Sequence, residues 1–120
     1  MKPIETEISY QGRTLKQLRR EGMVALYEVL SPGNVSYGYE VIIIKVAPAR
    51  EIFGKQYPER EIYPSSSVAS NDWGSIAWSY GRDWLDRASE HYDGLCVEQR
   101  EGRLKAVRAP DISDLEPSEG

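Results

Sequence analysis

The sequence predicts an α+β fold in which a mainly antiparallel β-sheet carries one principal amphipathic helix on one face. Three observations lead to this class. Residues 4–10, 23–30 and 37–46 alternate or run apolar over strand-like lengths, and turn residues separate them. The clearest helical apolar stripe lies late in the chain, at about residues 82–93. A chain of 120 residues has room for a single core.

The N-terminal region is expected to form an edge strand and then a short helix. Apolar or β-branched residues alternate with polar, partly acidic ones across residues 4–10, which is typical of a strand with one solvent-facing side. Thr14 can cap a helix over residues 15–21, where Leu15 and Leu18 share one side and a glycine follows as the stop. A helix this short persists only if it packs against the sheet.

Residues 23–30 and 37–46 are expected to pair as an antiparallel hairpin. The turn residues Ser, Pro, Gly and Asn at positions 31–34 separate the two strands. The second strand contains the run 41–44, which is apolar on both faces. Such a run is typical of a strand that is covered on both sides, so we expect it near the centre of the sheet.

The second half is expected to contain short strands around the principal helix. That helix, at about residues 82–93, has apolar residues at roughly one-turn spacing, and Gly94 follows as its stop. Of the remaining strands, the first two and the last two are expected to pair as hairpins. The five are residues 52–55, 61–63, 76–80, 95–99 and 104–107.

Charge and cysteine content limit the class of protein. Fifteen basic and 19 acidic residues give a net charge of −4, and the acidic excess lies in residues 61–120. The single cysteine excludes an intramolecular disulfide. No apolar run approaches the ~18 residues of a membrane span and no signal peptide opens the chain, so we expect a cytoplasmic protein with no membrane partner. Residues 1–108 are expected to form one α+β domain, followed by an acidic, flexible tail at residues 109–120.

Few residues indicate catalysis, and the sequence predicts no cofactor. His91 lies in the predicted principal helix and Cys96 in an apolar run, so a rim histidine and a buried, inert thiol explain both, with a catalytic dyad as the alternative. Glycine-rich phosphate motifs are absent from the sequence. Four acids at helical spacing have metal-ligand chemistry, but a solvated helix face explains them without a metal. They are Asp83, Asp86, Glu90 and Asp93.

A basic cluster near the N-terminus is the candidate for nucleic-acid binding. Arg13, Lys16, Arg19 and Arg20 fall within eight residues, and on the predicted short helix the last three project to one side. Clustered Lys and Arg can contact phosphates. The alternative is an ordinary solvated helix face, which the negative net charge favours.

Aromatic residues are the candidates for partner binding. Tyr63, Trp73, Trp78 and Tyr80 are large side chains of the kind that anchor protein interfaces. The same residue types also fill the cores of small domains. The sequence leaves both interpretations open.

Five short motifs follow one another between Tyr39 and Tyr80, namely residues 39–44, Gly54-Lys55, residues 63–66, Trp73-Gly74 and residues 78–80. Their order resembles a pattern in small accessory proteins of phages, prophages and other mobile elements, a group without an established activity. The resemblance covers about residues 23–95, with a longer stretch here before Trp73. It implies a mobile-element context and action on host machinery, and it implies no catalytic or cofactor-binding residue.

Three functions of different classes follow from these patterns. The main prediction is a non-enzymatic protein-interaction module of a phage or mobile element that inhibits or modulates a host defence or replication protein. Its partner would be a host or phage protein. The alternatives are a nucleic-acid-binding accessory protein that uses the basic cluster, and a small enzyme of unknown type. The sequence leaves the oligomeric state open, with a dimer among the options.

Overall fold

The computed structural model describes residues 1–64 and 72–108, and it confirms the α+β class with a mostly antiparallel main sheet and one helix among these residues. The acidic tail predicted for residues 109–120 lies outside the described residues. In chain order the elements are β1 (Glu7–Tyr10), β2 (Arg13–Glu21), β3 (Val24–Ser31), β4 (Val35–Ile43), β5 (Lys45–Ala47), β6 (Arg50–Ile52), β7 (Lys55–Tyr57), β8 (Arg60–Ile62), β9 (Ala77–Gly81), α1 (Leu85–Arg100) and β10 (Val107–Arg108).

The main sheet has five strands in the order β1-β2-β3-β4-β9, and every neighbouring pair is antiparallel. The predicted N-terminal edge strand and the predicted β3–β4 hairpin are both present. Strand β4 is buried on both faces from Val41 to Ile43, as its apolar run predicted. The edges of the sheet are β1 and β9, so two faces and two edges remain for other segments to cover.

The predicted short helix over residues 15–21 is wrong, because this segment is strand β2. Its Leu, Lys, Gln, Arg and Glu residues are good helix formers, but two-residue turns on both sides force it to pair with β1 and β3. Leu15 is buried opposite Ile8 and Val29, while Leu18 sits at a bulge and points to solvent. Pairing on both edges therefore overrides the helical propensity of the segment.

One face of the main sheet packs against α1. The buried helix residues Ala88, Tyr92, Leu95 and Cys96 follow the spacing of a helical stripe. They pack on sheet residues that alternate along β3 and β4 and so share one face, namely Val24, Leu26, Tyr39, Val41 and Ile43. We call this layer the helix-face core, and it is the packing of the helix on one face of the sheet that the amphipathic pattern predicted.

The helix is longer and later than the predicted residues 82–93. It begins after Trp84, continues through Gly94 and ends at Arg100, so the predicted closing hairpin of residues 95–99 and 104–107 is wrong. The burial of Leu95 and Cys96 extends the apolar stripe past the glycine. The chain instead leaves the helix at Gly102, which has a left-handed φ of 74°. There the Arg103 and Gly102 N–H groups bond back to the carbonyls of Glu98 and Gln99, which is the hydrogen-bond pattern of a Schellman motif.

The last turn of α1 is fixed to the turn between β2 and β3. The Gln99 side-chain amide accepts a hydrogen bond from the Met23 N–H at 2.8 Å and donates one to the Glu21 carbonyl at 2.9 Å. Arg100 adds two hydrogen bonds to the Glu21 carboxylate. We call this contact the Gln99 clamp. It joins two segments that are 76 and 78 residues apart in sequence.

A smaller sheet consists of β10, β5 and β8 in that order, and Val107 of β10 packs against the helix-face core. Strand β5 follows β4 after the buried residue Ile44, so one stretch of chain belongs to both sheets. The predicted ribbon of residues 52–55 and 61–63 pairs differently, because β6 returns through β7 while β8 pairs with β5. Strand β10 joins β5 in parallel.

An ion pair links the two sheets. Arg20 on β2 donates two hydrogen bonds to the Glu61 carboxylate on β8, at 2.7 and 2.6 Å, and Glu61 also accepts one from the Ile4 N–H at 2.9 Å. The Glu61 side chain is only 8% exposed and that of Arg20 is 26% exposed. The pair therefore fixes β8 and the N-terminal segment against the main sheet.

Candidate binding pocket

A pocket opens on the face of the main sheet opposite α1. Its volume is about 420 Å³, within the range of pockets that hold small ligands or inserted side chains. Its lining comes from four strands of the main sheet and from the connection between β8 and β9. The lining residues are Ile8, Tyr10, Arg13, Leu15, Val29, Glu40, Tyr63, Pro64 and Trp73, and we call this site the Glu40 pocket.

Strand register places the sheet part of the lining side by side. Ile8, Leu15 and Val29 lie opposite one another on β1, β2 and β3, so their side chains form one row on the same face. Leu15 and Val29 are buried, so they belong to the inner part of the lining. Tyr10 and Arg13, paired at the ends of β1 and β2, are exposed and mark its open rim.

Glu40 is the acidic group among the lining residues of the pocket. It lies on β4 opposite Tyr27, in a strand whose neighbouring residues are buried and apolar. The Tyr63 hydroxyl donates a hydrogen bond to Glu40 Oε1 at 2.5 Å. Burial raises the pKa of the Glu40 carboxyl, while the Tyr63 hydrogen bond and the charge of Arg13 act in the opposite direction. A partly buried carboxylate therefore faces a cavity whose other walls are mainly apolar and aromatic.

Tyr63 is held in place from two directions. Its ring meets the Tyr27 ring edge-on, with a centroid distance of 5.1 Å. Burial and the nearby Glu40 carboxylate raise the pKa of Tyr63 well above its ordinary value, so the hydroxyl keeps its proton and acts as a donor. Tyr63 thus orients Glu40 and closes one side of the pocket.

Arg13 supplies a positive charge at the rim. Its guanidinium lies over the Tyr37 ring, 4.5 Å from the centroid, and it makes no ion pair with Glu40 in the described part of the chain. The two charges are close enough for Arg13 to lower the pKa of Glu40. The pocket therefore has a negative inner wall and a positive rim.

The four aromatic candidates divide between the two faces of the main sheet. Tyr63 and Trp73 line the Glu40 pocket, whereas Trp78 and Tyr80 pack against the helix-face core. His91 on α1 lies between the latter two. Its ring is 4.5 Å from that of Trp78, and its Nδ1 hydrogen-bonds the Tyr80 hydroxyl at 2.7 Å. Tyr63 and Trp73 are therefore the two that the structure brings together in a cavity.

The four basic candidates are also divided, because β2 is a strand and not a helix. Lys16 and Arg19 lie on the helix side of the sheet, where Arg19 covers the Tyr92 ring at 4.4 Å and pairs with Asp93 at 3.1 Å. Arg13 and Arg20 lie on the other side, where Arg20 is bound to Glu61. The strand geometry thus distributes the cluster over two faces. Nucleic-acid binding by these residues stays a prediction.

His91 and Cys96 do not meet. Five positions along an α-helix place two residues about 140° apart around its axis, from the 3.6 residues of each turn. Cys96 is buried beside Tyr92, and burial raises the pKa of its thiol, while burial lowers the pKa of His91. This arrangement gives no nucleophile and base in contact.

The remaining sequence candidates lie at the surface. Asp83, Asp86, Glu90 and Asp93 are all exposed. Within residues 1–64 and 72–108, no three His, Cys, Asp or Glu side chains are grouped so that they could hold a metal ion. In the same ranges no helix is long and apolar enough to cross a membrane.

Two residues with functional potential were missed from the sequence. Glu40 was visible as the acid that precedes an apolar run, but only the fold shows that Tyr63 meets it. Phe53 occupies the first position of the two-residue turn between β6 and β7, fully exposed and with a left-handed φ of 51°, which a bulky residue rarely adopts.

Comparison with family models, curated proteins and solved structures found no match for this chain.

Proposed function

We propose that the protein is a non-enzymatic interaction module that receives a side chain of a partner protein in the Glu40 pocket. The observation that carries this proposal is the pocket itself, an open cavity of about 420 Å³ whose walls are mainly apolar and aromatic. Interfaces concentrate their binding energy in a few anchor side chains that enter such desolvated pockets. Tyr10 and Trp73 add amphipathic rings that suit contact with a partner.

The motif order from Tyr39 to Tyr80 supports a mobile-element context for the partner. In that context the partner is a host or phage protein, and the activity is inhibition or modulation of host defence or replication. The pocket takes three of its lining residues from that same stretch, namely Glu40, Tyr63 and Trp73. The motifs and the pocket thus point to one surface.

Site-specific photo-crosslinking tests the proposal. Tyr10 is exposed at the rim, so a photoreactive p-benzoylphenylalanine in its place should leave the fold intact and crosslink a bound partner in host cells. The matched control carries the same group in place of Trp84, an exposed aromatic at the start of α1. We expect a discrete adduct from position 10 and none from position 84. Equal adducts from both positions, or none from position 10, would contradict the proposal.

A further inference from the structure

We propose that the group entering the Glu40 pocket is cationic, a Lys or Arg side chain of the partner whose charged end meets the Glu40 carboxylate. This inference rests on the proposed function and names the chemistry of the inserted residue. The negative inner wall and the apolar sides of the pocket carry it together. The same features disfavour a neutral apolar or an acidic side chain.

The Glu40 carboxylate has hydrogen-bond acceptor positions that Tyr63 does not use. An ionised carboxylate offers about four acceptor positions on its two oxygens. Tyr63, through Oε1, is the only described residue whose side chain hydrogen-bonds this carboxylate. The N–H groups of an ammonium or guanidinium fit the remaining positions, and charge-assisted bonds of this kind are roughly twice as strong as neutral ones.

The walls of the pocket suit the stem of a basic side chain. Lys and Arg have methylene chains that pack on apolar surface while the charged end reaches a polar partner. Ile8, Leu15 and Val29 supply that surface, and Trp73 supplies a ring on which a cation can lie. The volume of about 420 Å³ and the mainly apolar lining can accommodate such a stem.

A neutral or acidic side chain fits poorly. An apolar group in the pocket would remove the remaining water from Glu40 without supplying a counter-charge, and burying an unpaired carboxylate costs several kcal/mol. An acidic group would meet a like charge directly. Arg13 at the rim adds a condition on the flanking residues, because its positive charge favours an acidic residue beside the inserted basic one.

Small probes with short unbranched alkyl chains and head groups of different charge test the inference by NMR. Titration of ¹⁵N-labelled protein with n-butylammonium, n-butylguanidinium, n-pentanol and n-pentanoate would follow the Trp73 indole and Glu40 amide signals. We expect the cations to bind in the pocket about tenfold more tightly than n-pentanol, which corresponds to one charge-assisted hydrogen bond. Pentanoate should be the weakest. Equal binding of the cations and n-pentanol would overturn the inference.

The variant Glu40→Gln isolates the charge. Its amide oxygen still accepts from Tyr63, and since burial raises the pKa of Glu40, removing the charge should raise the melting temperature at pH 7. We expect this variant to lose the tenfold preference for cations. Glu28→Gln, the same change on the helix side of the sheet, should keep it.

The two proposals fail in different ways. If the crosslink from position 10 persists in the Glu40→Gln background and the probes show no charge preference, the cationic inference is overturned and the interaction module stands. If the cations bind in the pocket and position 10 gives no adduct, the inference about pocket chemistry is supported and the interaction module is contradicted.

Discussion

The Gln99 clamp gives the sharpest prediction about stability, for the variant Gln99→Ala. This change removes two hydrogen bonds, from the Met23 N–H and to the Glu21 carbonyl. Each such bond contributes about 0.5–1.5 kcal/mol net, so we expect the free energy of unfolding to fall by about 2 kcal/mol. For a chain of this size that lowers the melting temperature by roughly 8 °C.

Two further variants show whether the amide or the packing is responsible. Gln99→Glu keeps an acceptor for the Met23 N–H but loses the donor, so a carboxylate oxygen then faces the Glu21 carbonyl. We expect it to be about as unstable as Gln99→Ala. Gln56→Ala, which removes an exposed side-chain hydrogen bond to Glu51, should cost less than about 0.5 kcal/mol.

A double-mutant cycle with Gly22 tests the geometry of the clamp. Gly22 has a left-handed φ of 57°, and a Cβ added there would lie 2.6 Å from the Gln99 amide. Gly22→Ala should therefore suffer both backbone strain of about 1–2 kcal/mol and a clash. In the Gln99→Ala background only the strain remains, so the two changes should not add.

Chemical denaturation monitored by circular dichroism measures each free energy of unfolding. If Gln99→Ala costs no more than Gln56→Ala, or if the Gly22 and Gln99 changes are strictly additive, the clamp does not hold the helix to the β2–β3 turn.

Two other predictions concern charged residues. Glu61→Gln should cost about 2 kcal/mol at pH 7, less than a fully buried pair because Arg20 keeps a quarter of its side chain in water. Arg20 holds the pKa of Glu61 below its ordinary value of 4.5, so this stability is present above that value and is lost as the pH falls through the folded pKa. When the free energy of unfolding is measured as a function of pH, the difference between wild type and variant should close below pH ~4. A difference that stays constant would show that the Arg20–Glu61 ion pair is not its source. For nucleic acid, we expect no gel shift of duplex DNA even at ~50 mM salt, because the basic candidates lie on two faces. A shift that disappears by ~200 mM salt, and that Lys16→Ala with Arg19→Ala abolishes, would support the nucleic-acid-binding alternative.

Sequence patterns predicted the parts of the fold that periodicity decides. The apolar run of β4, the hairpin with β3, the edge strand β1 and the amphipathic stripe of α1 were all predicted because burial imposes a period on each of them. The prediction for residues 15–21 was wrong because their side chains favour a helix, while the turns at either end make the segment a strand. The helical propensity of single residues contains no information about the strands that pair with the segment on each side.

The predicted end of the helix was wrong for a related reason. Gly94 is a plausible stop by residue type alone, but Leu95, Cys96 and Gln99 beyond it contact the sheet and the β2–β3 turn. Tertiary contacts therefore outweigh the cost of about 1 kcal/mol for a glycine inside a helix. The glycine at which the chain actually turns lies eight residues later, at Gly102.

The pocket was predicted only in part. Aromatic content singled out Tyr63 and Trp73, and both line it, as does Arg13 from the basic cluster. Glu40 was not singled out, since 23 residues separate it from Tyr63 in the sequence. A cavity made from four strands and a connection has no period of its own, so only the register of the sheet shows which side chains share it.

The continuity of β4 and β5 has a consequence for how the molecule opens. Ile44 between them is fully buried and donates its N–H to the Met23 carbonyl at 2.7 Å, so the middle strand of the smaller sheet is the direct extension of a strand in the larger one. If this stretch of chain unfolds from one sheet, its buried residues in the other sheet become exposed as well. Backbone amides from Val41 to Val46 should therefore exchange their hydrogens through the same cooperative opening. Because Glu40 immediately precedes them, ligand binding in the pocket should slow exchange in both sheets at once.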